Sequence, residues 1–171
     1  MKKYLISMAC ALLASMALNG CATSKEKAAR KTEQAERVKA ALAERHYKIV
    51  VNSLVDVDPS EPNKKRGQKL EYNYWIEVRN DSLISFLPQY GYNFYQSIAS
   101  VGTRFPVFSE RISRYQEELT KKNKRHIEIS VDNNNDTHIF VIEVAANGNS
   151  YISLRSRLRE RISYFGNMML D

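Results

Sequence analysis

The chain has 171 residues, 43% of them apolar and 26% charged, with 6 Gly and 4 Pro; this is the balance of one ordinary globular domain and excludes a disordered or low-complexity chain. Two cysteines are too few for a disulfide framework, and three histidines leave little material for a His-rich metal centre. The formal charge of +7 permits an anionic partner without naming one.

Lys2 and Lys3 precede a run from Tyr4 to Leu18 that holds no charged residue and ends at Asn19-Gly20-Cys21. A basic start followed by a short apolar stretch reads as an export signal, and the stretch is shorter than the ~20 residues of a spanning helix. Leu18-Asn19-Gly20-Cys21 resembles the lipobox of bacterial lipoproteins. That resemblance implies cleavage behind Gly20 and a diacylglyceryl group on Cys21. With Ala22 rather than Asp next, it also implies sorting to the outer membrane, where the expected face is the periplasmic one. The alternative is ordinary secretory cleavage that leaves Cys21 a free thiol. In the lipidated reading Cys10 departs with the signal, no disulfide can form, and loss of Lys2 and Lys3 lowers the charge from +7 to +5. Two or more acyl chains, at ~0.8 kcal/mol per buried methylene, would hold the protein on a membrane without a spanning helix.

From Ser24 to about Leu42 the segment is rich in Ala, Lys, Glu and Arg and lacks Gly and Pro, which predicts a helix. Thr23 and Glu26 have capping-box spacing at its start. The stripe of Ala28, Ala35, Val38 and Leu42 is thin, so the first turns are expected to be a solvated tether and only the end to pack. The period then changes to two. Tyr47, Ile49, Val51, Val55 and Val57 form one face of a predicted strand. A polar stretch from Asp58 to Lys69 follows and is expected to be a long loop. Leu70, Tyr72, Tyr74, Ile76 and Val78 make one face of the next strand, with Glu71, Asn73, Trp75, Glu77 and Arg79 on the other. Asn80-Asp81 turns it into a short hairpin with Ser82 to Leu87.

The region from Pro88 to Phe108 is aromatic and irregular and is expected to wrap one sheet edge. Arg111 to Leu119 fits strand or helix. Strands are predicted again at His126 to Val131, Thr137 to Ala145, Ser150 to Leu158 and Arg161 to Met168. This spacing of strands and turns indicates a mainly β (α+β) fold: an antiparallel meandering sheet of about seven or eight strands, curled or sandwich- or barrel-like, with one N-terminal helix. The expected organisation is a signal peptide at 1–20, a lipidated helical tether at 21–44 and a single β-rich domain at 45–171.

Much of the mature chain resembles the domain of unknown function 4251 family of small Gram-negative lipoproteins. The likeness rests on the lipobox-bearing start, the helix, the strand at Tyr72 and Tyr74, and the turn into Leu87-Pro88-Gln89-Tyr90-Gly91 followed by Phe105. It continues through Asn147-Gly148 to the closing Arg159-Glu160-Arg161-Ile162-Ser163-Tyr164-Phe165-Gly166. The resemblance implies an exported, membrane-tethered, sheet-rich domain; it carries no activity to assign to any residue.

Asp132, Asn134, Asp136 and Glu143 fall at calcium-loop places, but Thr137 stands where the sharp turn needs Gly and a strand is predicted where a loop is required. His126 and His138 lie on the two strands of one hairpin, and neither register brings them to one metal. Gly148-Asn149-Ser150-Tyr151-Ile152 begins like a nucleophile elbow, but Ile152 replaces the second Gly and no strand-turn-helix surrounds it. No catalytic residue, metal ligand or cofactor is therefore assigned.

Two candidate contact surfaces remain. Arg155, Arg157, Arg159 and Arg161 share parity, so an unbroken strand would put four guanidiniums on one face. With Lys64, Lys65, Arg66, Lys121, Lys122, Lys124 and Arg125 they could meet anionic lipid, lipopolysaccharide or an acidic glycan; a solvated sheet face is the plainer alternative. Tyr90, Tyr92, Phe94 and Tyr95, with Trp75, are either a partner platform or a cover for the sheet. Nucleic acid does not fit a chain directed out of the cytoplasm that has no RNA-binding signature. The expected function is a non-enzymatic binding or structural module of the cell envelope, tethered through Cys21, whose partner is an envelope protein, glycan or anionic lipid. The alternative is an enzyme acting on an envelope polymer or lipid.

Overall fold

The computed structural model describes residues 24–57, 65–88, 107–133, 136–156 and 161–170, which form one helix and eight strands. Two compact units divide at residues 33 and 34. In the first, residues 24–33 are helical and exposed. Helix α1 spans Ser24–Ala43, and its second half belongs to the β unit. It ends where Arg45 adopts a left-handed backbone, φ 51°, while the Glu44 and Arg45 amides donate to the carbonyls of Ala40 and Leu42.

The strands follow in chain order: β1 His46–Val57, β2 Lys65–Arg79, β3 Ser82–Phe86, β4 Val107–Leu119, β5 Arg125–Asn133, β6 Asp136–Val144, β7 Asn149–Ser156 and β8 Ile162–Met169. Each pairs antiparallel with the next, and β8 pairs with β1, Met168 opposite Ile49, so the sheet is a closed barrel. Closure gives every strand a neighbour on both sides. The predicted antiparallel meander is therefore present, and the barrel-like form among the expected ones is the one adopted.

Alternation explains the core. Ile127, Ile129 and Val131 of β5 and Phe140 and Ile142 of β6 are fully buried, while Glu128, Val141 and Glu143 between them stay partly open. An eight-stranded barrel has an interior just wide enough for side chains, and Ile49, Ile76, Leu83, Ile152 and Tyr164 fill it from the other strands. Outward positions carry the ion pairs Lys124–Glu143 (3.1 Å) and Arg155–Glu128 (3.8 Å). A barrel that crosses a bilayer has the reverse pattern, with an apolar outer band. No described helix is long and apolar enough to cross a membrane.

One end of the barrel bears the β2–β3, β4–β5 and β6–β7 turns. There Val38 and Leu42 of α1 enter the core, and the Gln34 amide donates to the Asn147 carbonyl at 2.9 Å. The turns use left-handed backbone at Asn80, Asn123 and Gly148. The connections at the other end, 58–64, 89–106, 134–135 and 157–160, lie outside the described residues.

Two expectations are corrected and two open readings are resolved. The polar stretch read as loop to Lys69 is already strand from Lys65. The ambiguous Arg111 to Leu119 is strand, part of β4, because its residues pair with β5 on one side and, at Arg111, with β3 on the other. Tyr72 does not share the inward face of Leu70 and Tyr74: it is 68% exposed. The register slips there, with Val51 opposite Tyr74 but Ser53 opposite Lys69, so residues 70–73 bulge and the alternation breaks. Finally, β7 ends at Ser156 and Arg161 stands just before β8, its antiparallel partner, so the separate strands expected on either side of Glu160 are present and the condition for a single four-arginine face is not met.

Candidate functional site

Of the predicted aromatic contact surface, Trp75 is described, whereas Tyr90, Tyr92, Phe94 and Tyr95 lie outside the described residues. Trp75 projects from the outer face of β2, opposite Val50 on β1 and Phe86 on β3. The Lys48 ammonium sits 4.1 Å from the centre of the indole, a cation–π contact worth ~0.5–1 kcal/mol at an exposed site. Phe86 packs at 6.3 Å on the other side, and its ring stacks at 5.6 Å on Tyr74, which in turn meets Tyr72 edge-on at 6.3 Å. The bulge at 70–73 thus carries Tyr72 to the rim of a ring cluster spanning β2 and β3.

Two residues past Phe86, the carbonyl of buried Pro88 accepts a 3.0 Å hydrogen bond from the Tyr164 hydroxyl, which reaches it from β8. Pro88 is therefore held from within the barrel. Rings, one ammonium and backbone groups can stack and hydrogen-bond, but they supply no nucleophile–base pair.

A polar cluster at the helix end was not anticipated from the sequence. Tyr115 and Glu117 lie opposite the buried Ile129 and Ile127. The Tyr47 and Tyr115 hydroxyls are 3.5 Å apart, and Tyr115 donates to Glu117 at 3.4 Å. Because that uses the one proton of Tyr115, Tyr47 is the donor between them. Arg45 lies 4.2 Å from the centre of the Tyr115 ring, and Arg125 pairs with Glu117 at 3.4 Å. Burial, reinforced by Tyr115, pushes the Tyr47 phenol well above its ordinary value, and burial also raises Tyr115. Both remain protonated donors at neutral pH and so close the barrel end rather than act as bases. The left-handed Arg45 that ends α1 is what brings its guanidinium over the ring.

Of the predicted basic surface, Lys121, Lys122, Lys124, Arg125, Arg155 and Arg161 are described. Lys124, Arg125 and Arg155 each face a carboxylate, and Arg157 and Arg159 lie outside the described residues. Arg79 pairs with Glu77 beside it, which raises the Arg79 guanidinium further. The histidines take opposite faces: His138 lies opposite Val131 and stacks on Phe108 at 5.6 Å, while His126 lies opposite Glu143. Asp132 accepts from the Thr137 hydroxyl at 2.7 Å, six strand pairs from Glu143 along the β5–β6 ladder. The Ser150 hydroxyl is buried and donates to the Gly148 carbonyl. Among the described residues no three His, Cys, Asp or Glu side chains converge as a metal-binding group.

Comparison with known proteins gives a family and a fold. The family model named "Domain of unknown function (DUF4251)" matches residues 29–168. A crystal structure of a DUF4251 family protein from Bacteroides eggerthii is similar over 80% of this chain and 87% of its own, with a TM-score of 0.55 and 10% identity. At that identity the likeness is one of fold. None of the curated proteins matches the chain. Since the matched stretch runs from the second turn of α1 almost to the end of β8, the chain belongs to the DUF4251 family.

Proposed function

We propose that the protein is a lipid-anchored module of the bacterial cell envelope, held through Cys21 to the outer membrane on its periplasmic side, which acts by non-covalent contact rather than catalysis. The observation that carries this reading is Leu18-Asn19-Gly20-Cys21 at the end of an uncharged apolar run. The core supports it, because the described inward positions of the barrel are mainly apolar side chains packed on one another. The contact surface proposed is the ring cluster around Trp75, with the aromatic segment Tyr90 to Tyr95 that follows Pro88 in the chain.

Crosslinking of the native protein in intact envelopes, followed by capture, tests this. Tryptophan is a frequent hot spot, and truncating one costs about 2 kcal/mol or more, roughly thirtyfold in affinity. Trp75→Ala should therefore abolish the principal crosslinked species while leaving the barrel folded. An unchanged crosslinking pattern with a folded variant would remove Trp75 from the contact surface.

A further inference from the structure

We propose that the barrel end away from α1 takes a small neutral ligand with an apolar body and one polar group, which hydrogen-bonds the hydroxyl of Ser85. Ser85 lies on the inward face of β3, two residues from Leu83 and from Leu87, and all three are fully buried. Its hydroxyl oxygen is buried without a hydrogen-bond partner. A hydroxyl left in that state costs stability that an alanine there would not, and native structures keep few such groups. Water is a poor partner at this position. A buried water makes about three hydrogen bonds, whereas the side chains opposite Ser85 are Ile76 on β2 and Phe108 on β4, which offer none.

The inner face of the barrel differs between its two ends. At one end Val38 and Leu42 of α1 are buried in the core. Toward the other, Leu54 of β1, Phe108 of β4, Leu154 of β7 and Ile162 of β8 pack against the core yet stay only partly buried. Register puts all four on the inward face: Leu54 is opposite the buried Tyr164, Leu154 is opposite the buried Phe140 and Ile162, and Phe108 is opposite Ser85. The Phe108 ring also meets Phe140 edge-on at 6.3 Å. Apolar surface for a ligand body therefore stands on the same face and at the same end as the unpartnered hydroxyl. The mouth of an eight-stranded barrel is wide enough for one small ligand. Charge narrows the class. The described inward side chains at this end include the carboxylates of Glu110, opposite Leu83, and Asp136, two residues before His138, and no lysine or arginine. An anion would meet only like charge, and the apolar neighbours of Ser85 disfavour burial of any ion, so the ligand is neutral.

Fluorescence titration with N-phenylnaphthylamine tests the site. This probe is neutral, consists of apolar rings with one N–H donor, and brightens when it leaves water. The full mature chain carrying Cys21→Ser, free of detergent, should bind it saturably. Loss of one hydrogen bond changes affinity about fivefold, so Ser85→Ala should weaken binding by about that factor. Ser85→Val, which sets two methyls where the polar group of the ligand belongs, should abolish it. Leu119→Ser removes an exposed apolar side chain at the opposite end of β4 and should leave binding unchanged. In urea titrations without the probe, Ser85→Ala should have a higher midpoint than its parent, because it removes a buried hydroxyl that has no partner. A lower midpoint would show that the hydroxyl is already bonded in the free protein and would overturn the proposal. So would the absence of saturable binding by the parent, equal binding by Ser85→Ala and the parent, or loss of binding in Leu119→Ser.

Discussion

Tyr47 and Tyr115 show how much depends on a few polar atoms at one end of an apolar core. Burial, the main cause, holds both phenols above their ordinary value of 10.0. Above about pH 10 the unfolded chain therefore releases protons that the folded chain keeps, and stability falls as pH rises. The stabilisation is fully present below the unfolded value and is lost through the higher folded one. In urea titrations between pH 8 and pH 11, Tyr47→Phe should lose less stability on the alkaline side than the parent; parallel pH profiles would show that Tyr47 is not the group responsible. Gly148 is a different kind of single-residue constraint. Its φ is +80°, while the nearest atom to an added Cβ is the Met168 carbonyl at 3.5 Å, an ordinary contact. Gly148→Ala should thus cost about 1–2 kcal/mol through backbone conformation alone, measured as a lower urea midpoint with unchanged slope. At Gly166 the constraint is space: a Cβ there would lie 2.5 Å from the Val50 carbonyl, so β1 and β8 could not keep their approach.

At the scale of elements, α1 has two jobs that its sequence separates. Val38 and Leu42 are 2% and 1% exposed, within the core cluster, whereas residues 24–34 keep only solvated side chains. Leu42→Ala should destabilise the β unit by about 2–5 kcal/mol, while Ala28→Ser should leave the midpoint nearly unchanged; equal effects would contradict this division. That division was legible in the sequence, because the apolar stripe thins toward Ser24. Strands β5 to β8 were legible too, since strict alternation over eight or nine residues separates inward from outward positions. Legibility failed where alternation fails. In β2 the bulge at 70–73 inserts residues without a partner, so parity placed Tyr72 on the wrong side. In β4, Ile112 lies opposite Val131 but Arg114 opposite Ser130, and Ser113 breaks the period that would have marked a strand. The Tyr47–Tyr115–Glu117 cluster was hidden for the same reason, because it exists only once that ambiguous segment becomes a strand beside β5. For the ring cluster, Trp75 was recognisable by parity, but its contacts with Lys48 and Phe86 depend on cross-strand register that one strand alone does not contain.

For the whole molecule, the closed barrel joins two features that a functional account must satisfy. Its interior is lined mainly by apolar side chains, and its outer face carries the Lys124–Glu143 and Arg155–Glu128 ion pairs. The chain start has a different character, with an uncharged apolar run ending at Cys21. A water-facing barrel on a short acylated helix is the arrangement proposed here, with the ring cluster of β2 and β3 as the surface that meets a partner. The central claim is the anchor itself, since the proposed localisation depends on it. Its most direct test is the mass of the native protein and of its N-terminal peptide, extracted from the membrane fraction. The account predicts a chain that begins at Cys21 and carries a diacylglyceryl group on the sulfur; an unmodified Cys21, or a chain that begins at any other residue, would contradict it.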